Sequence, residues 1–339
     1  MARRGFGAWM LIGGVGFVGW WLWRQYGRMD LTDRTVLITG GSRGLGLVLA
    51  RDFAAAGARV AICARDPVEL ERAEFDLLRR GATVMSVTCD VTQAAEVLAL
   101  VATVHARFGP IDVLVNNAGM IQVGPVETLT IDDFDASLAI HVMAPLYTIL
   151  AVLPDMQARR AGRIVNIASI GGKVSVPHLL AYSTGKFALT GLSEGLRAEL
   201  AKDAIQVTTV IPGLMRTGSP RQALFKGQHQ LEAAWFTVMD SLPLTSMSAE
   251  RAARQIVRAT VHGDAEVILS APAKVAALFH GLFPGLTSDL LGLVNAWLPG
   301  PGDTGHDQVK GRDSGSALTE SWLTWLTRQA ARQNNEMAG

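Results

Sequence analysis

Short β-branched runs alternating with helix-length apolar runs place most of this chain in the α/β class, as a doubly wound parallel sheet with helices on both faces. Two observations carry that expectation. Residues 34–39, Arg-Thr-Val-Leu-Ile-Thr, run straight into Gly40-Gly41-Ser42-Arg43-Gly44-Leu45-Gly46, and a helical apolar run over 47–56 follows, closed by Gly57. Further strand-like runs at 58–64, 83–88, 111–115 and 266–269 are spaced by segments such as 68–80 and 92–108, long enough to cross back over a sheet as helices.

These elements carry chemistry at their ends. A strand, a glycine turn and a helix start leave backbone N–H groups free at the positive end of a helix, where a pyrophosphate can sit. Glycines let the backbone approach such a ligand without a Cβ in the way. The second strand ends in Arg65, where a ribose 2′-hydroxyl would favour an acidic residue, and Arg43 lies inside the glycine turn. Two guanidiniums suit a 2′-phosphate through forked bonds, so NADP(H) is expected over NAD(H). The plain alternative is a pair of solvated loop arginines, one offset by Asp66. The third strand closes on Asp90-Val91, and the fourth runs into Asn116-Asn117-Ala118-Gly119.

Residues 169–186 bring together a hydroxyl, a phenol and an amine: Ser169, Tyr182 and Lys186. Tyr182 and Lys186 are four residues apart in a helical run and share a face one turn apart. An unperturbed tyrosine titrates near about 10, and a close ammonium is expected to lower that value. Ser169 would bind the same substrate oxygen from a strand end. Alone, this spacing is common in helices where a tyrosine packs on a lysine stem.

In company it is specific. Thr39-Gly40-Gly41-Ser42-Arg43-Gly44-Leu45-Gly46, Asp90, Asn116 to Gly119, Ser169, Tyr182 with Lys186, and Pro212-Gly213 resemble the classical short-chain dehydrogenase/reductase family in order and spacing, over about residues 32–270. The resemblance implies a Rossmann-like sheet of about seven strands. It implies Tyr182 as the acid–base residue, Lys186 as holder of the nicotinamide ribose and tuner of the phenol, and Ser169 as the group that positions the carbonyl. By the same resemblance Asp90 with Val91 would contact the adenine, Asn117, Ala118 and Gly119 would line the cofactor, and Thr217 after Pro212-Gly213 would touch the carboxamide. One position departs. Where the family usually has an asparagine that holds a relay water near the lysine, this chain has His141, in Ile140-His141-Val142-Met143. An imidazole can bind a water or a carbonyl and titrates near about 6.5 when unperturbed. A substituted relay and a packed, non-catalytic histidine both remain open.

Composition bounds the partners. The chain has 339 residues, 49% of them hydrophobic, with a formal net charge of +1 and no long basic run, which excludes an electrostatic nucleic-acid footprint. Cys63 and Cys89 fall in apolar strand-like runs, as buried thiols of a reduced compartment, and no metal site is expected. Residues 5–23 contain no charge over nineteen positions, flanked by Trp20, Trp21, Trp23 and by arginines on both sides. That is enough to span a bilayer once, and no small-residue cleavage site follows before Asp30, so an uncleaved anchor is expected over a signal peptide or a buried helix. The balanced arginines leave orientation to function, and an NADP(H) enzyme is expected on the cytoplasmic side.

The chain therefore divides into an anchor (1–29), a dehydrogenase/reductase domain (30–274), an apolar extension (275–298) and a linker with a short helix (299–339). Residues 214–250, with Leu224, Phe225, Trp235, Phe236 and Met239, read as an apolar substrate cover or as ordinary helix packing. An apolar ketone or secondary alcohol is favoured as substrate over a 3-oxoacyl thioester. A pattern of Leu286, Leu290, Leu293 and Trp297, broken by Pro284-Gly285, reads as a membrane-surface helix pair or as subunit packing. Residues 299–316 have linker composition, and Thr319 reads as the N-cap of a last helix with Trp322, Trp325 and Leu326 on one side. The family commonly forms dimers or tetramers, so a homo-oligomer is expected. The competing functional class is a nucleotide-binding sensor or scaffold with little turnover, supported only by His141.

Overall fold

Seven parallel strands form the central sheet of the computed structural model, which describes residues 28–302 and 306–337. The predicted anchor at 5–23 lies outside the described residues. Strands β1 (Thr35–Thr39), β2 (Arg59–Ala64), β3 (Val84–Thr88) and β4 (Val113–Asn116) occupy one half. The short β5 (Gln122–Val123) leaves the sheet, and β6 (Gly162–Ile167), β7 (Ile205–Ile211) and, after β8 (Leu214–Arg216), β9 (Leu224–Phe225) and β10 (Ser246–Ser248), β11 (Glu266–Ile268) complete the rest. The order is β3-β2-β1-β4-β6-β7-β11, so the chain reverses direction of travel between β1 and β4. Ligands bind doubly wound sheets at such a switch point, beyond the carboxyl ends of the strands.

Every residue of β1 is buried, as expected of a parallel strand covered on both faces. Val36 and Ile38 point to one face, where they meet helices α1 (Gly44–Ala55), α2 (Pro67–Arg79) and, from the far end of the chain, Ile256. Leu37 points to the other, with Leu100 and Val104 of α3 (Ala94–Phe108). Local chemistry starts these helices. Asp66 accepts from the N–H groups of Val68 and Glu69 with Pro67 at the first helical position, and Thr130 and Asp133 form a reciprocal capping box for α4 (Ile131–Leu138).

A five-residue π turn, Ala139–Met143, joins α4 to α5 (Ala144–Arg159). Among the described residues this continuous stretch, Ile131–Arg159, is the one helix long and apolar enough to cross a membrane. It packs on α3 and on α6 (Leu180–Leu200), in the manner of a core helix.

Beyond β7 the chain also builds α7 (His229–Ser241) and two small sheets, β10-β8 and a three-stranded one. The third strand of the latter is β12 (Val309–Lys310), which pairs antiparallel with β9 while β5 pairs parallel on its other side. Within the stretch expected to be a linker, Val309–Lys310 instead pair with β9, because the open edge of that strand offers backbone partners. Beneath this sheet Asp133 is buried and accepts from Lys226 Nζ at 2.5 Å, Gln122 Nε2 at 2.6 Å and Gln308 Nε2 at 2.6 Å. Burial works to raise the Asp133 carboxyl, but the bonds from Lys226, Thr130 and Gln122 hold it below its ordinary value.

After α8 (Ala249–His262) and β11, the apolar extension forms α9 (Ala271–Leu282) and α10 (Pro284–Asn295), broken at Phe283-Pro284. Val275, Leu278, Leu282, Leu286, Leu293 and Trp297 are exposed, Trp297 by 89%. The last helix, α11 (Trp325–Gln333), starts six residues after Thr319, whose hydroxyl instead closes a turn with Ser316. Trp322 and Trp325 face solvent, since α11 buries the small residues Thr327, Ala330 and Ala331.

Replacing Lys226 by methionine leaves the Asp133 charge buried without its cation. The expected cost is about 3–5 kcal/mol of stability, read from urea unfolding, and a loss under 1 kcal/mol would mean that the neutral donors suffice.

Candidate active site

The glycine turn is shaped by close backbone approach. Gly40 has φ +64°, and a Cβ there would lie 2.9 Å from Ala118 Cα. A Cβ on Gly46 would collide with the Gly40 carbonyl oxygen. The Thr39 hydroxyl oxygen accepts from the N–H groups of Asn117 and Ala118, each at 3.0 Å, and Asn117 Nδ2 donates to the carbonyls of Thr39 and Gly40 at 3.0 and 3.1 Å. These bonds tie the end of β1 to the end of β4 across the switch point. Asp90 turns inward on its own loop, accepting from the Thr92 N–H and hydroxyl, with Val91 buried beside it. Thr217 is buried, with its Cβ 3.9 Å from the Cβ position of Gly44, and the Pro212 carbonyl accepts from Ile170 N at 2.7 Å while Gly213 packs against Ser270. The predicted cofactor residues therefore converge on one rim.

The two arginines do not behave alike. Arg65 is exposed at the end of β2. Arg43 is not free to meet a 2′-phosphate: its Nη1 bonds both oxygens of Glu69, at 2.7 and 2.6 Å, and its Nε lies 3.2 Å from Glu336. The sequence reading missed both acids. Glu69 sits on α2 within reach of the turn, and Glu336 arrives from the chain's other end, with no local signal to announce it.

Ser169, Tyr182 and Lys186 do meet. Ser169 follows β6 in an extended conformation, and its Oγ accepts from Gly171 N at 3.0 Å. Tyr182, in the first turn of α6, lies beside Ser169: the Cβ position of Gly171 is 3.2 Å from the Tyr182 ring and 3.4 Å from Ser169 Oγ, so glycine there gives the phenol its seat. Lys186 is buried, its Nζ donates to the Ile167 carbonyl at 2.8 Å, and it stands 5.8 Å from the Tyr182 ring centre.

The electrostatics correct one expectation. Desolvation raises the Tyr182 pKa and Ser169 opposes it, so the phenol is pushed up rather than lowered. The ammonium that was to lower it is itself desolvated, and burial brings Lys186 down to about 7. Ile121, Val176 and Trp235 pack beside Tyr182 around Leu179, Phe225 and Phe236, an apolar enclosure that disfavours charge on either group.

His141 lies on the π turn, fully buried, edge-on to Tyr182 with ring centres 5.3 Å apart. Its Nε2 accepts from Met120 N at 3.4 Å, so Nδ1 carries the proton and donates to Ser137 Oγ at 3.2 Å, which donates onward to the Ala181 carbonyl at 2.7 Å. Burial, and then the charge of Lys186, hold the ring well below its ordinary pKa, in the neutral form. The imidazole fits between two glycines: a Cβ on Gly185 would lie 2.9 Å from Nδ1, and one on Gly119 would lie 3.1 Å from Nε2 and 3.7 Å from Lys186 Nζ.

Residues 34–225 match the family model described as short chain dehydrogenase. The chain belongs to the short-chain dehydrogenase family. A dehydrogenase/reductase SDR family protein 7-like of Anopheles gambiae is 36% identical over 258 residues, covering 75% of this chain and 80% of the relative. Two solved structures share the fold. A gluconate 5-dehydrogenase from Burkholderia cenocepacia, in complex with NADP and tartrate, is 26% identical with a TM-score of 0.65 over 74% of this chain and 98% of its own. An actinorhodin polyketide ketoreductase with NADPH is 30% identical with a TM-score of 0.64 over 73% and 98%. This short-chain dehydrogenase is thus an NAD(P)-dependent oxidoreductase with a Rossmann-like sheet.

Because burial depresses Lys186 from 10.5 to about 7, the unfolded chain binds more protons than the folded one between those values. Its contribution to stability must therefore rise with pH across that window. The difference in melting temperature between the native chain and Lys186→Met should change in that direction from pH 7 to pH 9, and a pH-independent difference would contradict it.

Proposed function

We propose that this enzyme is an NADP(H)-preferring reductase/dehydrogenase of apolar ketones or secondary alcohols, with Tyr182 as the proton-transferring residue. The observation that carries the reading is the approach of Tyr182 and Ser169 to the same side of Gly171, whose Cβ position lies 3.2 Å from the phenol ring and 3.4 Å from Ser169 Oγ, beside an apolar enclosure of Val176, Leu179, Trp235 and Phe236. Such walls suit a substrate that offers one polar oxygen and otherwise apolar surface. The NADP and NADPH of the two related structures support the cofactor, as does exposed Arg65 where the adenosine ribose would lie.

The fit of a dinucleotide to the glycine turn is supported by an anion already in it: the Glu336 carboxylate fills the space above Gly44 at the positive start of α1. When bound, the nicotinamide supplies or accepts the hydride at the carbonyl carbon. Tyr182 delivers the proton to the carbonyl oxygen in reduction and takes it back in oxidation. Ser169, its oxygen already accepting from Gly171, donates its own proton to the same substrate oxygen and steadies the charge that develops there. Lys186 stands one turn behind Tyr182 to hold the nicotinamide ribose, and neutral His141 fixes the π turn and the loop at Met120 in place of the usual asparagine.

A ketoreductase reading, with a thioester-borne substrate, has its support in the polyketide ketoreductase relatives. We further infer attachment to a membrane, catalytic domain on the cytoplasmic side, through residues 5–23 and the exposed apolar residues of α9 and α10.

Two experiments test these readings. NADPH oxidation against apolar ketones and 3-oxoacyl thioesters should show turnover on the ketones, exceed that with NADH, and fall by about 10²–10⁴-fold in Tyr182→Phe. Turnover indifferent to that change would sink the assignment, and a preference for thioesters would select the ketoreductase reading. The full chain should co-sediment with anionic vesicles. Loss of that association on deleting residues 1–28 shows that this segment is required for it, persistence implicates α9 and α10, and a full chain left in the supernatant refutes attachment.

A further inference from the structure

We propose that the C-terminal residues 334–336, Asn-Asn-Glu, are an intramolecular plug of the dinucleotide cradle, which the cofactor's phosphates must displace. The proposal rests on the cofactor reading above and adds a regulatory element to it.

The plug uses the groups a pyrophosphate needs. Gly44 N–H, the first free donor of the helix start, is taken by the Asn334 carbonyl at 2.9 Å. The Glu336 side chain is buried over the turn, with Oε1 2.7 Å from the Cβ position of Gly44 and Oε2 3.2 Å from Arg43 Nε. Asn335 Nδ2 donates to the carbonyls of Ser42 and Glu69 at 2.8 and 3.0 Å, while its Oδ1 accepts from Arg72 at 2.8 Å. Arg51 clamps the segment from α1, reaching Asn334 Oδ1 at 3.1 Å and the Gln333 carbonyl at 2.9 Å. A carbonyl and a carboxylate at the positive end of a helix, beside an arginine, copy the chemistry of phosphate oxygens. Both occupants cannot hold Gly44 N–H and Arg43 at once.

The mimicry is incomplete, which makes it reversible. Glu336 Oε2 is buried without a hydrogen bond, its distance to Arg43 notwithstanding. Burial raises its carboxyl to about 7, with Arg43 opposing and Glu69 adding to the rise. Glu69 already holds Arg43 Nη1, so one guanidinium serves two carboxylates. A dinucleotide brings more negative charge and more acceptor oxygens to the same donors.

The plug is tethered to the substrate cover. On its way to the cradle the chain adds β12 to β9, and α11 then docks on α7 through Thr327, whose N–H donates to Ser241 Oγ and whose hydroxyl donates to Asp240. Ala331 packs against Gly218, where a Cβ would lie 2.5 Å from its Cα. One continuous strap thus links α7 to Gly44.

The test compares NADPH and NADH binding, by nucleotide fluorescence, to the full chain, to a chain ending at Gln333, and to Asn335→Ala/Glu336→Ala. The truncation keeps Thr327 and Ala331, and its melting temperature reports that the fold survives. A cradle filled about 90% of the time weakens apparent affinity about tenfold, so both variants should bind NADPH on the order of tenfold more tightly than the full chain. In the full chain, NADPH should also speed tryptic cleavage after exposed Arg332. Equal or weaker binding by the variants, or protection of Arg332 by NADPH, overturns the plug while leaving the cofactor reading intact. Failure of all three proteins to bind either nucleotide overturns both.

Discussion

The functional end of this molecule depends on one backbone approach, between the turn after β1 and the loop after β4. Asn117 donates to Thr39 across that gap through both its N–H and its Nδ2, and Gly40 lies so close to Ala118 that no side chain fits between them. A doubly wound sheet leaves a crevice at its switch point. These contacts set its width, and with it the distance from the glycine turn to the residues that follow β6. Behind them a line of buried amides and hydroxyls, Thr148 to Asn116 to Asn166 to Ser193, runs from α5 through β4 and β6 to α6, with Thr209 of β7 joining at Ser193. A fully partnered buried polar chain is rigid, because breaking any member strands a desolvated group. Tyr182 and Lys186 ride on the helix that this chain holds.

Low dielectric governs the chemistry above that floor. Tyr182 is pushed up, Lys186 down and His141 down, each first by desolvation. All three shifts favour the uncharged form, the state a closed apolar enclosure selects. The imidazole is part of the same logic. With both nitrogens bonded to protein and glycines on either side, it ties the π turn to Met120 and, through Ser137, to the Ala181 carbonyl. A π turn inside a long helix is costly and tends to mark functional sites.

The periphery has a different character. The C-terminal region is bound to the domain by strand addition, by small-residue packing of α11 and by a few charged contacts around the glycine turn, whereas α9 and α10 leave large apolar side chains in solvent. The first set closes the molecule on itself. The second leaves an exposed apolar surface of leucines and Trp297.

Much of the fold was legible in the residues. The β-branched runs fell within a residue or two of the observed strands, and the phenol, amine and serine came together as their spacing and order implied, because period and helix geometry are local properties. The sign of the Tyr182 shift was not legible, since it depends on Trp235 and Phe236 of α7 closing an apolar cluster with Val176 and Leu179. Nor was the fate of Arg43: its partners are 26 and 293 positions away, and no local pattern pairs an arginine in a glycine turn with a carboxylate near the chain end. The glycine- and proline-rich stretch after residue 299 misled because composition measures the entropy of a free segment, and the open edge of β9 outweighs that entropy. The sequence by itself determined the sheet, the glycine turn and the nearness of Tyr182 to Lys186 on one helix face. Only the tertiary structure decided the charge states inside the site and what lies in its cradle, because both are set by groups far apart in the chain that meet in a medium of low dielectric.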